Sequence, residues 1–320
     1  MLVFLLAVAS AGPPRVRQFG GIRNQGNTCY LSSLLQTLYH AEPFRQAVVE
    51  GQQCRGWFRR RPPLTTRTAL AGVFAQLAKN QTADTSRLTR ALRVDPRQQQ
   101  DIQEYVRILF AALAGDDVSL SAYEGEAETY LEITPEEVEA LGREVTKTRT
   151  EPFLDLSLDL RPTLRDAVAA YLTPDVLDGD NKWKTPDDGY RAALKGYRFT
   201  SLPKFLVVHL KRFAYDFERD RVAKLPDPLS FPLEFDAQEY GMAATKTTFR
   251  LHAVVIHVGD ALAGHYYAFV DPYCDGRWLR FDDHTVRPTD IKHVFMEGRG
   301  TRIGSASVGA YLLQYKQVDA

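Results

Sequence analysis

The chain has 320 residues, 44% hydrophobic and 25% charged, with 40 basic side chains against 40 acidic ones. Such a chain can bury one large core, or two or three subdomains around a shared cleft, and its balanced charge lacks the basic footprint of a nucleic-acid binder. Its three scattered cysteines, Cys29, Cys54 and Cys274, argue against a disulfide framework, and no Cys-x-x-Cys pair offers an ordinary zinc site.

Residues 1–19 form an N-terminal apolar segment. "MLVFLLAVASAG" has an apolar run ending in Ala9-Ser10-Ala11, which looks like a signal-peptidase site. The basic n-region is missing, and the run is far too short to span a bilayer. A truncated start, a short packed strand or a cleaved signal are the readings. Further on, "NQGNTCYLSSLLQTL" (24–38) sets Cys29 at the join between a small-residue loop and a helix. Leu31, Leu34, Leu35 and Leu38 fall at i, i+3, i+4 and i+7, one buried face. Gly26 lets the backbone approach a ligand closely. A cysteine in the first helical turn lies where free N–H groups and the helix dipole favour an anion, hence a reactive thiolate and a stabilised oxyanion. Asn24 adds a side-chain amide donor. The same window also suits a small buried core thiol.

An arginine-rich connection (52–63) reads as a solvated loop. Helices are predicted around 67–79, 86–93 and 100–114, the last burying Ile102, Tyr105, Val106, Leu109, Phe110 and Leu113. Asp101 and Glu104 are expected on its opposite, exposed face. Residues 115–150 are acidic and weakly patterned, suggesting short strands or an excursion. "FLDLSLDL" (153–160) alternates as a half-buried strand, and 163–172 reads as a helix. Strands follow at 204–213, 249–258, 265–271, 277–283 and 310–316. Helices first and a meandering sheet later predict an α+β protein of two lobes with a cleft between them.

A nucleophilic cysteine needs a base, usually a histidine oriented by a third polar group. His265 is the best placed of the seven histidines, at the mouth of a strand after Gly264. His252 and His257, five apart in one strand, are expected on opposite faces as packed residues, with His209 similar. From His265 to Asp282 is 282 − 265 = 17 residues, which suits neighbouring antiparallel strands. Asp283 should point to the other face, which leaves Asp282 as the orienter.

"GIRNQGNTCYLSSLLQTLYH" resembles the cysteine box of the ubiquitin-specific proteases, and "LHAVVIHVGDALAGHYYAFV…DGRWLRFDDHTV" their histidine box. "QQQDIQEYVRILF" and "LPKFLVVHLKRF" resemble two further signatures of that family, in the same order. "LDGDNKW" and "LKGYRF" bring it closest to the herpesvirus-associated subgroup, which lacks zinc-binding cysteines. The resemblance implies a papain-like α+β fold with a helical thumb (about 20–114), a fingers-like excursion (about 115–160) and a β-rich palm (about 161–320). It implies hydrolysis after the C-terminal glycine of ubiquitin through a thioester, with ubiquitin or ubiquitinated proteins as partners.

Carried over by motif position, Cys29 is the nucleophile, His265 the base, Asp282 the orienter, Asn24 the oxyanion donor and Asp283 an auxiliary. Asp101 and Glu104 fall where the family holds arginines of the ubiquitin tail; Trp183, Phe213 and Tyr266 match positions near the cleft. No cofactor or metal is expected, since "NKWKTPDDG" has no cysteine where zinc-binding members have a pair. The finger region departs from the family pattern, lacking its usual Leu-Phe-x-Gly. A monomer in cytoplasm or nucleus, with no membrane span and no nucleic acid, is expected. The rival readings are a catalytically weak ubiquitin-binding module and a secreted papain-like peptidase, although a Cys-to-His gap of 265 − 29 = 236 exceeds papain's own ~130–150.

Overall fold

The computed structural model describes residues 19–50, 64–187, 189–260, 264–304 and 306–318. The apolar run before residue 19, the arginine-rich connection and Cys54 lie outside the described residues. Helices come first: α1 (Cys29–His40), α2 (Glu42–Glu50), α3 (Thr66–Leu77), α4 (Ser86–Ala91) and α5 (Ile102–Gly115). The leucine stripe of α1 is present, but the helix is buried on every side rather than on one face, with 11 of its 12 residues buried. Several of its polar groups find partners: Ser33 Oγ donates to Cys29 O at 2.9 Å, Thr37 Oγ1 to Leu34 O at 2.8 Å and Gln36 Nε2 to Gly20 O at 3.0 Å, while Gln36 Oε1 and His40 Nε2 are buried without one among the described residues. In α5 the six expected apolar residues are all buried.

The weakly patterned stretch is not made of short strands. It holds β1 (Gly125–Ile133), α6 (Pro135–Leu141) and β2 (Thr146–Phe153). After it come β3 (Leu156–Leu158), α7 (Leu164–Leu172), β4 (Asp175–Leu177), β5 (Trp183–Lys184), β6 (Tyr190–Arg191) and β7 (Ala193–Ser201). Strands in the order β2-β1-β7-β4 form one antiparallel sheet. The boundary expected at 160 therefore falls between strands of a single sheet. Charge pairing in place of apolar alternation hid these strands. Arg198 of β7 lies over the Tyr130 ring at 4.1 Å and reaches Glu128 (3.9 Å) and Glu132 (3.5 Å) on β1. Gly196 sits opposite Tyr130, and a Cβ there would be 2.1 Å from its ring.

The rest is mostly sheet: β8 (Phe205–Leu210), β9 (Phe213–Asp216), β10 (Arg221–Lys224), β11 (Glu234–Asp236), β12 (Thr248–Gly259), β13 (Gly264–Val270), β14 (Leu279–Asp282), β15 (Thr285–Pro288), α8 (Ile291–Arg299), β16 (Thr301–Ile303) and β17 (Ala306–Gln317). The main sheet runs β15-β14-β13-β12-β17-β8-β3, with β11 beside β12 and β16 beside β17. One face packs on the helical lobe through Ala253, Val255, Tyr266, Ala268, Phe281 and Tyr311. The other covers a second core with Val254, Ile256, Tyr267 and Phe269 beside Val168 of α7 and Val294 of α8. Burial on both faces explains the near-continuous apolar runs of β8 and β12. Helix α8 was not expected, although Asp290 caps it by accepting from His293 N at 3.0 Å, just before Ile291 and Val294.

His252 and His257 do not occupy opposite faces. A bulge between Leu251 and Ala253 breaks the alternation. The His252 ring lies 5.4 Å from Phe205 and the His257 ring 4.6 Å from Tyr266, both in the core that includes α1.

Candidate active site

Three elements converge on Cys29. The first is its own helix and the loop before it. Thr28 is the N-cap of α1, but its side chain makes no cap bond; its hydroxyl instead accepts from Gln25 N at 2.9 Å. Asn24 Oδ1 accepts from Gly26 N (2.9 Å) and Thr28 N (3.1 Å), folding the loop back on itself. Gly26 adopts φ 136°, a conformation open to glycine, and packs against the Pro96 backbone. Cys29 is buried and stands at the first helical position.

The second element is the start of β13. Gly264 pairs with Gly259, and His265 with Val258. A Cβ on Gly264 would lie 2.1 Å from Nε2 of His257, so only glycine lets β13 begin there. The third is the β14–β15 hairpin. Ala268 pairs with Phe281, which sets Asp282 diagonally across from His265. His265 Nε2 and Asp282 Oδ1 are 2.7 Å apart. With that nitrogen engaged by Asp282, Cys29 is the second neighbour that acts on the imidazole.

Electrostatics single out this histidine. The bond to Asp282, then the bond to Cys29, push the His265 pKa up to about 10 against its partial burial. The same contact with His265 holds the Asp282 carboxyl below its ordinary range, aided by Arg280. The other buried histidines move the opposite way. Desolvation takes His209 to about 4 and both His252 and His257 to about 3, and drives His40 well down. At neutral pH His265 is a cation and these four are neutral.

Asp283 does not turn away from the cluster. The strand ends at Asp282, and Asp283 takes a left-handed φ of 50°. Its backbone O accepts from Ile22 N at 2.8 Å, and its Oδ2 accepts from Asn24 Nδ2 at 2.9 Å. Ligand atoms of His265, Asp282 and Asp283 converge within 4.8 Å, the one such cluster among the described residues. The His265–Asp282 contact and a 2.9 Å bond from Arg280 to Asp282 Oδ2 describe an ion-pair network there rather than a free cation cage.

Asp101 is not on an exposed helix face either. It is the N-cap of α5: Oδ1 accepts from Gln103 N (2.8 Å) and Glu104 N (3.2 Å), and Oδ2 accepts from Tyr311 Oη. Glu104 is exposed one turn on. Tyr266 is buried beneath the site, where desolvation, joined by Asp101 and Cys29, raises its pKa. Phe213 is half-buried, 5.0 Å from Tyr311 and 5.1 Å from His257 between ring centres. Trp183 stands apart, on the small β5–β6 hairpin. Sequence reasoning missed Tyr311 and Arg280; each read only as part of a strand, and their roles come from partners on other elements, Asp101 for Tyr311 and Tyr267 and Glu297 for Arg280.

The sequence model of the family described as "Ubiquitin carboxyl-terminal hydrolase" matches residues 20–315. The chain is 35% identical over 298 residues to Ubiquitin C-terminal hydrolase 12 of Arabidopsis thaliana, covering 88% of this chain and 26% of that one. It is 32% identical over 306 residues to Ubiquitin carboxyl-terminal hydrolase 15 of Saccharomyces cerevisiae, covering 89% and 24%. It is 32% identical over 286 residues to Ubiquitin carboxyl-terminal hydrolase 7 of Drosophila melanogaster, covering 83% and 24%. The chain thus spans about a quarter of the length of these relatives.

Proposed function

The chain belongs to the ubiquitin carboxyl-terminal hydrolase family, and from that premise we propose that it is a cysteine deubiquitinase, cutting the isopeptide or peptide bond after the C-terminal glycine of ubiquitin. The observation that carries this reading is the 2.7 Å contact of His265 Nε2 with Asp282 Oδ1, on an imidazole that also feels Cys29 at the start of its helix.

The Gly-Gly end of the modifier threads a channel too narrow for larger residues, and Asp101 and Glu104 pair with arginines of its tail. With the thiol proton of Cys29 carried on His265, the imidazolium faces the sulfur as the counter-ion that a thiolate requires. The sulfur attacks the terminal glycine carbonyl. Asn24 gives one amide N–H to Asp283 and has a second for the oxyanion, beside the N–H of Cys29. His265 then protonates the leaving amine, becomes neutral, and activates water to hydrolyse the thioester. Asp282 fixes the imidazole orientation throughout. Phe213 and the buried Tyr266 pack near the cleft, while Trp183, on the separate β5–β6 hairpin, would meet the modifier only if it reaches that far.

All three groups of the proposed triad come from one chain, so the site needs no residue from a second copy. The described cysteines, Cys29 and Cys274, are free thiols, which suits cytoplasm or nucleus. No helix among the described residues is long and apolar enough to cross a membrane.

The test is labelling with ubiquitin bearing a C-terminal electrophile, with the adduct located by mass spectrometry. The expected adduct is on Cys29 and is absent in Cys29→Ser, which still binds ubiquitin. No adduct on wild type, or an adduct elsewhere, overturns the proposal.

A further inference from the structure

Arg280 lies two residues before Asp282 on the same face of β14. Its guanidinium donates to Asp282 Oδ2 at 2.9 Å, the oxygen that His265 leaves free. It is also stacked on Tyr267, 3.8 Å from the ring centre. Tyr267 is buried on β13, two residues after His265, and donates its hydroxyl to Glu297 Oε2. Glu297 belongs to α8, is nearly buried, and its other oxygen lies 3.9 Å from Arg280 Nη1. Two strands and a helix thus hold one cation against the outer side of the Asp282 carboxylate. A carboxylate held by one hydrogen bond can rotate about its terminal torsion, which is broad. Held at both oxygens it cannot turn without breaking a charge-assisted bond.

We propose that Arg280, seated on Tyr267 and braced by Glu297, is a positioning residue that locks the Asp282 carboxylate toward His265. The proposal rests on the function argued above and assigns that reaction a further residue. Arg280 touches neither the sulfur nor the modifier; it acts through Asp282. The arrangement departs from a simple exposed salt bridge, because the ring, the helix carboxylate and Asp282 fix the guanidinium on three sides.

The charged groups around the pair are Cys29 on α1, Arg280 and Asp282 on β14, Asp283 at the turn and Glu297 on α8, with His284 and Arg287 lining the adjoining cavity of about 510 Å³. Loss of Arg280 acts on His265 in two opposing ways. Removing a positive charge near the imidazole would raise its midpoint. Freeing Asp282 to rotate weakens the hydrogen bond that is the largest cause of the raised value, and lowers it. The sign of the shift separates the two.

The experiment compares wild type with Arg280→Gln, Arg280→Lys and Glu297→Gln. It reads kcat and KM on a fluorogenic ubiquitin conjugate, and the His265 imidazole titration by NMR. Expected for Arg280→Gln is a kcat about 10- to 100-fold lower, KM within about twofold because no substrate contact is lost, and a His265 midpoint moved to lower pH. Arg280→Lys recovers part of kcat. Glu297→Gln keeps the acceptor for Tyr267 but removes the charge beside Arg280, and gives a smaller change in the same directions; it decides the matter if Arg280→Gln does not fold. An unchanged kcat with an unchanged or raised His265 midpoint overturns the proposal. Wild type that neither labels at Cys29 nor turns over sinks the reaction assignment instead, and the NMR shift still decides Arg280.

Discussion

Asn24 and Asp283 stand 259 residues apart in the chain and are joined by a 2.9 Å hydrogen bond from Nδ2 to Oδ2. This bond ties the loop before Cys29 to the hairpin that carries Asp282. It also fixes which way the Asn24 amide points, because its other end accepts from two backbone N–H groups of the same loop. Replacing Asn24 with Ala should lower kcat about 10²–10³-fold, the usual cost of one oxyanion donor. Steady-state kinetics with a parallel melting curve check it. A kcat within a few-fold of wild type in a folded variant removes Asn24 from the reaction.

The alkaline limb of kcat/KM should lie near pH 10. His265 has a raised pKa, so its protonated form is complete below the ordinary histidine value of about 6.5 and is lost as pH rises through about 10. Beyond that point no proton is available for the leaving amine. Because the bond to Asp282 is the first cause of the shift, Asp282→Asn should move the limb down and reduce kcat steeply. A pH profile of both proteins decides it; an unmoved limb would break the assignment.

Asp101 and Glu104 should separate cleanly. Asp101→Asn keeps an N-cap acceptor, so the melting temperature should hold, while the charge for an arginine of the modifier is lost. Glu104→Gln alters an exposed side chain and should not touch stability. Each should raise KM up to about fivefold, the scale of a solvent-exposed ion pair, with kcat retained. Unchanged KM in both variants would leave Asp101 a helix cap and Glu104 a surface charge.

Gly264→Ala forces a Cβ to within 2.1 Å of the His257 ring. The start of β13 must shift, and His265 with it. Activity should fall about 10- to 100-fold, with about 1–3 kcal/mol of stability lost to overpacking. Kinetics and denaturant unfolding test both. Full activity would mean that the His257 ring yields instead of the strand.

Acid should unfold the protein ahead of any effect on the His265–Asp282 ion pair. His209, His252 and His257 have folded pKa values of about 4, 3 and 3, below their unfolded value. Their neutral burial is fully stabilising above about pH 6.5, and that contribution is lost as pH falls toward 3–4, since the unfolded chain binds the protons first. Melting temperatures from pH 8 to 4 should drop progressively below 6.5. His257→Phe, which keeps a ring in the aromatic cluster, should flatten the slope.

Much of this was legible from the chain alone. The leucines of α1 and the apolar face of α5 announce helices because burial along a helix repeats in step with its turns. The 17-residue spacing of His265 and Asp282 suited a hairpin, and β13 and β14 form it. The strands of the β2-β1-β7-β4 sheet were harder. Their cross-strand partners are charged, so the signal lies in pairs on different strands and not in the order along one.

The amino-acid order by itself determined the element types in the core, the placing of a cysteine at a helix start, and the position of a histidine at a strand mouth. These depend on local periodicity and on neighbours within a turn or two. Tertiary structure alone decided that Asp283 turns back to Asn24, that Asp101 caps α5 under Tyr311, that a bulge puts His252 and His257 on one side, and that Arg280 is clamped between Asp282, Tyr267 and Glu297. A left-handed residue, a bulge and a register shift each redirect a side chain without changing the pattern around it, and each is chosen by contacts between separate segments of the chain.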